Sequence, residues 1–212
     1  MADYEAIANG VIAGDEAKVV ELTRKAVDEG AKPMEIIDEG LMSGMGVVGQ
    51  RFKADEMFIP EVIMSAKAMS AGMEIVKPLI VGGESASKGK VLLGTVKGDL
   101  HEIGKKLVGM MMESAGMDVE DLGIDVSAEA FAKAVKEKGP DVLGMSALLT
   151  TTMLAMKDTI ETLKEEGLAA KVKTMVGGAP VSSDFADEIG ADGWAADAVS
   201  AKDMAVEFVG AK

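Results

Sequence analysis

The chain holds a single histidine, His101. It stands in the segment Lys97-Gly98-Asp99-Leu100-His101-Glu102-Ile103-Gly104-Lys105. Imidazole is a strong ligand for transition metals. A carboxylate that hydrogen-bonds one ring nitrogen fixes the tautomer and raises the basicity of the other. Asp99, two residues before the histidine, is placed for that role. Gly104, three residues after it, removes a side chain where a large group could approach a helix. Two further segments add complementary groups. One carries the hydroxyls of Ser146, Thr150 and Thr152 around Leu148, and the other is the Gly177-Gly178 pair before Ala179-Pro180. A plainer reading fits the same spacing. Asp99 and Glu102 would form a capping box at a helix start, Gly98 and Gly104 would be turn and packing glycines, and His101 would be an exposed loop residue.

The elements around these segments decide where they meet. From Lys90 onward, short apolar runs alternate with helical stretches. Strands are expected at Lys90–Val96, Val119–Leu122, Asp141–Ser146 and Lys171–Val176. Helices are expected at Val108–Ala115, Ala128–Lys138, Leu154–Glu166, Ser183–Ile189 and Val199–Val209. Apolar strands spaced by helices predict a doubly wound parallel sheet of about five strands, buried on both faces. Ligands of such sheets bind at the carboxyl ends of the strands. The His101, Ser146 and Gly177 segments each follow a strand there, so all three fall on one edge.

The first 85 or so residues follow another pattern. Asp15 caps a helix with Val19, Leu22, Ala26 and Val27 on one face. Pro33 opens a second, with Ile36, Ile37, Leu41, Met45 and Val48. Pro60 opens a third, with Val62, Ala66, Met69, Met73 and Val76, ending near Pro78 and Gly82-Gly83. A bundle of about four antiparallel helices buries these stripes. Gly82–Gly89 reads as a linker. The expected division is a helical-bundle domain over 1–88 and an α/β domain over 89–212.

Composition removes several alternatives. The net charge of −14 argues against nucleic acid and against an anionic membrane surface. Without cysteine there is no disulfide, thiolate metal site or cysteine nucleophile. With only 3% aromatic residues, the 17 methionines are mainly core filler. No signal peptide or membrane-spanning run is visible, which makes the cytoplasm the expected location. No dinucleotide or P-loop glycine motif and no nucleophile elbow is present.

Taken together, Asp99-x-His101-x-x-Gly104, Ser146-x-Leu148 and Gly177-Gly178 resemble the three-part signature of cobalamin-binding domains. The likeness is strongest to corrinoid proteins of methylotrophic methyltransferase systems in methanogens and acetogens, and it extends to the cobalamin module of methionine synthase. It covers nearly the whole chain, because that family places a helical cap before a Rossmann-like domain. The resemblance implies that His101 is the lower axial ligand of cobalt, displacing the cofactor's own base, and that Asp99 hydrogen-bonds it. Thr152 stands where methionine synthase ends its relay on a serine. Gly98, Leu100, Glu102, Ile103 and Gly104 would border the cofactor. Ser146, Leu148, Thr150, Gly177 and Gly178 would line the slot for its nucleotide tail, with Ala198 nearby. Phe52 and Ile59, in RFKADEMFIPEV, would cover the upper face of the corrin.

By the same resemblance, the cobalamin or related corrinoid would cycle between Co(I) and a methylated Co(III) form. A substrate-specific methyltransferase would load the methyl group, and a second methyltransferase would pass it to tetrahydrofolate or coenzyme M. A reductive activation protein would restore Co(I). Such a chain is a subunit of one-carbon metabolism, in methanogenesis or acetogenesis, rather than a catalyst alone. A cobalamin-binding sensor and the cobalamin subunit of a mutase are the alternatives.

Overall fold

The computed structural model describes residues 2–80 and 87–210. The chain divides into two compact units, Met1–Ala86 with Ser114–Gly116, and Ser87–Glu113 with Met117–Lys212. Most of the expected linker, residues 82–86, lies outside the described residues, as does Met1.

The first unit is helical. Helix α1 spans Tyr4–Ala13 and α2 spans Glu16–Asp28. Their starts are set by Asp3 and Asp15, whose carboxylates accept from the backbone N–H of Ala6 and Lys18 at 2.9 and 3.0 Å. The Pro33 helix begins as α3 (Pro33–Glu35), passes through a π-helical turn (Ile36–Met42) and continues as α4 (Ser43–Lys53). The π turn was not expected. It keeps Ile36, Ile37 and Leu41 all buried, which an uninterrupted 3.6-residue period spreads over a wider arc. Helix α5 spans Ile59–Val76, with Pro60 in its first turn, and a 3-10 turn over Lys77–Leu79 follows.

The second unit is a five-stranded parallel sheet covered by helices. Its elements are β1 (Lys90–Thr95), α6 (Ile103–Ser114), β2 (Asp118–Asp121), α7 (Ala128–Lys138), β3 (Val142–Ser146), α8 (Leu154–Glu165), β4 (Lys173–Gly177), α9 (Ser183–Ile189), β5 (Gly193–Ala195) and α10 (Ala198–Gly210). The strand order is β2-β1-β3-β4-β5, all parallel. The winding direction reverses between β1 and β3, which makes the crevice beyond their carboxyl ends the switch point. Leu92, Leu143 and Val176 from the sheet pack with Phe131, Val135, Ile160 and Leu163 from α7 and α8 to form the core.

Two expectations shift. Helix α6 starts at Ile103 rather than Val108, so Gly104 and Lys105 lie in its first turn. Lys105 reads as polar loop, but its side chain is buried and its Nζ binds the Asp121 carboxylate and the Gly123 carbonyl, the latter at 2.6 Å. Strand β5 was only implied by the count, because three residues carry no period. Among the described residues no helix is long and apolar enough to cross a membrane.

A close fit in the core lies on β1. A Cβ on Gly94 would stand 2.4 Å from Phe131 Cε1, and Phe131 is fully buried. Gly94→Ala is therefore expected to destabilise the second unit by about 1–3 kcal/mol, measured by urea unfolding. Adding Phe131→Leu should recover part of the loss; no recovery would show that the strain lies elsewhere.

Candidate functional site

Strand β1 ends at Thr95, and the chain turns through Gly98 at φ +82°, a left-handed conformation that glycine adopts without penalty. Thr95 Oγ1 donates to the His101 carbonyl at 2.8 Å, pinning the far end of the turn back onto the strand. Asp99 lies inside this turn and is fully buried. His101 lies outside it, with its side chain half exposed.

The two are joined by a short contact. His101 Nδ1 is 2.7 Å from Asp99 Oδ1, which also accepts the His101 backbone N–H at 3.1 Å. The other carboxylate oxygen reaches across the switch point to the loop after β3. Oδ2 accepts the N–H of Leu148 at 2.7 Å, the N–H of Leu149 at 3.2 Å and the hydroxyl of Thr152 at 2.8 Å. Burial by itself would raise the Asp99 pKa. The hydrogen bonds from the Leu148 and His101 backbones, the His101 ring and Thr152 outweigh it and hold the carboxyl well below the usual carboxylate range. An ionised Asp99 can only accept, so Nδ1 carries the ring proton and the lone pair sits on Nε2. No protein partner meets Nε2 among the described residues.

The surroundings favour a broad apolar ligand. Leu100, Ile103, Leu148 and Leu149 are large side chains left exposed around the turn and the facing loop. A Cβ on Gly104 would meet nothing within 4 Å, so the surface beside the histidine is open. No three His, Asp or Glu side chains converge to hold a metal among the described residues. His101 thus offers a metal one ligand and an apolar collar, which suits an ion that brings its other ligands with it.

The remaining expected residues fall on the same edge. Thr95, Ser146, Gly177 and Ala195 are in register across β1, β3, β4 and β5. The last row of the sheet is thus built from small side chains. Thr150 is exposed in the loop after β3. Ala198 is buried at the start of α10. At Gly178, φ +126°, a Cβ would lie 1.8 Å from the Ala147 carbonyl oxygen; glycine is required there by the chain's own loop after β3. The capping-box reading fails. Asp99 is committed to His101 and the β3 loop, and Glu102 instead holds Lys106 at 2.6 Å. The methyl of Thr152 is no obstacle, because Cγ2 packs 3.5 Å from the Cβ position of Gly98 while Oγ1 faces Asp99. Phe52 is half-buried on α4 and Ile59 is exposed at the start of α5, both in the helical unit.

Sequence reasoning missed Leu149 and Asp125. Leu149 contributes a backbone N–H, which its side chain does not advertise. Asp125 accepts the Gly98 N–H at 2.7 Å from 27 residues away.

A parallel sheet with one oriented imidazole at its switch point defines a ligand-binding α/β module. Comparison with known proteins agrees. Residues 89–202 match the family model described as B12 binding domain, and residues 4–77 match a second model of that description. A corrinoid protein of Desulfitobacterium hafniense is 47% identical over 99% of both chains. The dimethylamine corrinoid protein of Methanosarcina barkeri is 46% identical over 96% of this chain and 95% of its own. A chain in the crystal structure of the methanol:cobalamin methyltransferase complex MtaBC from Methanosarcina barkeri superposes with a TM-score of 0.88 at 36% identity, covering 99% of this chain and 80% of that one. The chain belongs to the B12-binding corrinoid-protein family, and its cofactor is a corrinoid.

Because the folded-state pKa of Asp99 is depressed, its stabilising contribution is complete above the unfolded value of about 4 and is lost as pH falls through the lower folded value. Asn in its place would turn an NH2 donor toward donors on one side or the other. The gap in melting temperature between the parent and Asp99→Asn is thus expected to narrow as pH falls below about 4. A gap independent of pH would contradict an ionised Asp99.

Proposed function

We propose that this chain is a methyl carrier. It receives a methyl group from a substrate-specific methyltransferase and yields it to a second one, with His101 as the lower ligand of its corrinoid. The observation that carries this reading is the Asp99–His101 pair, which presents Nε2 outward over an apolar rim at the switch point.

The corrinoid, when bound, supplies a cobalt centre that accepts and releases a methyl group. The protein's residues set the conditions. His101 would hold the metal through Nε2, and Asp99 would set the basicity of that nitrogen. When the imidazole is released it can take a proton at Nε2, and the Asp99 carboxylate holds the resulting cation in place. Thr152 Oγ1 has two acceptors in reach, Asp99 Oδ2 at 2.8 Å and the Leu149 carbonyl at 2.9 Å. Its one proton can turn to the carboxylate or away from it as the charge on the ring changes.

The small residues along the sheet edge support a tail slot lined by Ser146, Leu148, Thr150, Gly177 and Gly178, with Ala198 beside it. Leu100, Ile103 and Gly104 would face the corrin, with Gly98 and Glu102 flanking them. Phe52 and Ile59 would cover its upper face and shield the methyl group from water.

The named substrates of the relatives, dimethylamine and methanol, support a first partner that binds a small methylated compound. The second methyltransferase, acting toward tetrahydrofolate or coenzyme M, and a reductive activation protein complete the cycle, which we place in the cytoplasm.

Reconstitution with methylcobalamin tests the ligand. The parent is expected to give a base-off, histidine-on visible spectrum that His101→Ala loses. An unchanged spectrum in the variant would remove His101 from the metal. The upper ligand of the corrinoid isolated with the native protein tests the carrier role: methyl agrees with it, and adenosyl would place the chain with the mutases.

A further inference from the structure

Among the described non-glycine residues, Asp55 and Asp125 have positive φ. Asp125, at φ +54°, lies in the loop between β2 and α7. A non-glycine residue keeps a left-handed conformation only where its surroundings over-determine it, and here the surroundings are the turn that carries His101. Asp125 Oδ1 accepts the Gly98 N–H at 2.7 Å, and the Asp125 N–H donates to the Asp99 carbonyl at 3.1 Å. The left-handed Asp125 thus holds the turn by two hydrogen bonds, one to the left-handed Gly98 and one to Asp99. The rest of the loop is laced to β1: Leu122 N–H to the Leu93 carbonyl at 2.7 Å, Thr95 N–H to the Gly123 carbonyl at 3.0 Å and Val126 N–H to the Thr95 carbonyl at 2.9 Å. Lys105 secures the start of that loop through the Asp121 carboxylate and the Gly123 carbonyl.

We propose that Asp125 is a positioning residue for the cobalt ligand: by clamping the backbone at Gly98 and Asp99 it fixes the depth and direction of the Asp99 carboxylate, and through it the orientation of His101. The inference rests on His101 as the axial ligand. The carboxylate of Asp99 serves three donors beyond β3 with one oxygen and the histidine with the other. A small rotation of the turn therefore lengthens one set of bonds while shortening the other, and Asp125 is the side chain that resists that rotation from the β2 side.

Two variants isolate the effect. Asp125→Gly keeps the left-handed turn without penalty and removes the acceptor. Asp125→Asn keeps an acceptor and tolerates the same backbone. Because the chain has one histidine, nitrogen-15 NMR of the cofactor-free protein at one mildly alkaline pH reads one imidazole. The parent should show two well-separated ring nitrogens, one protonated and one bare. Asp125→Gly should draw both toward the averaged values of a free imidazole, and should weaken methylcobalamin binding about fivefold, as expected for one hydrogen bond. Asp125→Asn should restore both readings. If Asp125→Gly overlays the parent, or lowers only the melting temperature, the proposal is overturned. It is overturned equally if Asp125→Asn fails as Asp125→Gly does. A parent that binds no methylcobalamin would instead defeat the corrinoid reading, and the imidazole shifts would still judge Asp125.

Discussion

The site depends on a charge kept out of water. A buried carboxylate costs several kcal/mol unless its lone pairs are met, and those of Asp99 are met by donors from both sides of the switch point. Each donor is an N–H or O–H, and an ionised carboxylate is the side chain that can accept from all of them. An amide would face at least one of these groups donor to donor. The same arrangement leaves the neutral imidazole no freedom of tautomer: Nδ1 carries the proton, so Nε2 is the nitrogen with a lone pair to offer. Orientation, tautomer and basicity of the proposed metal ligand thus follow from one buried charge.

The fold exists around that charge in a specific sense. Reversal of strand order between β1 and β3 opens the crevice, and Asp99 closes the backbone across it by joining the turn after β1 to the loop after β3. The last row of the sheet is kept small, from Thr95 to Ala195, while the rim above it is kept large and apolar. A ligand with a flat, wide body and a narrow extension suits that profile. The corrinoid family to which the chain belongs binds such a molecule.

Much of this was legible in the sequence where chemistry is local. Helices α7 and α9 begin and end where expected, because Ser127 and Ser182 cap them and Gly139 and Gly190 close them in the left-handed conformation. The Asp99–His101 pair was legible because the partners are two residues apart. The start of α6 was misplaced because Lys105 looks like loop polarity, whereas its stem is buried and its charge is held by Asp121 and a carbonyl. The π turn at Ile36–Met42 has no periodic signature of its own. Leu149 acts through its backbone, and Asp125 acts across 27 residues, so neither could be found from spacing. What escaped the sequence was the bracing, which is tertiary, rather than the ligand, which is local.

The lower ligand proposed for cobalt is one protein nitrogen, from His101. Electron paramagnetic resonance of the protein loaded with cob(II)alamin, with its histidine labelled with nitrogen-15, reads that bond directly. An axial nitrogen from His101 splits each cobalt line into a doublet, since nitrogen-15 has spin one-half. A triplet, from the unlabelled nitrogen-14 of the cofactor's own base, would show that the base had kept its place and that His101 is not the ligand.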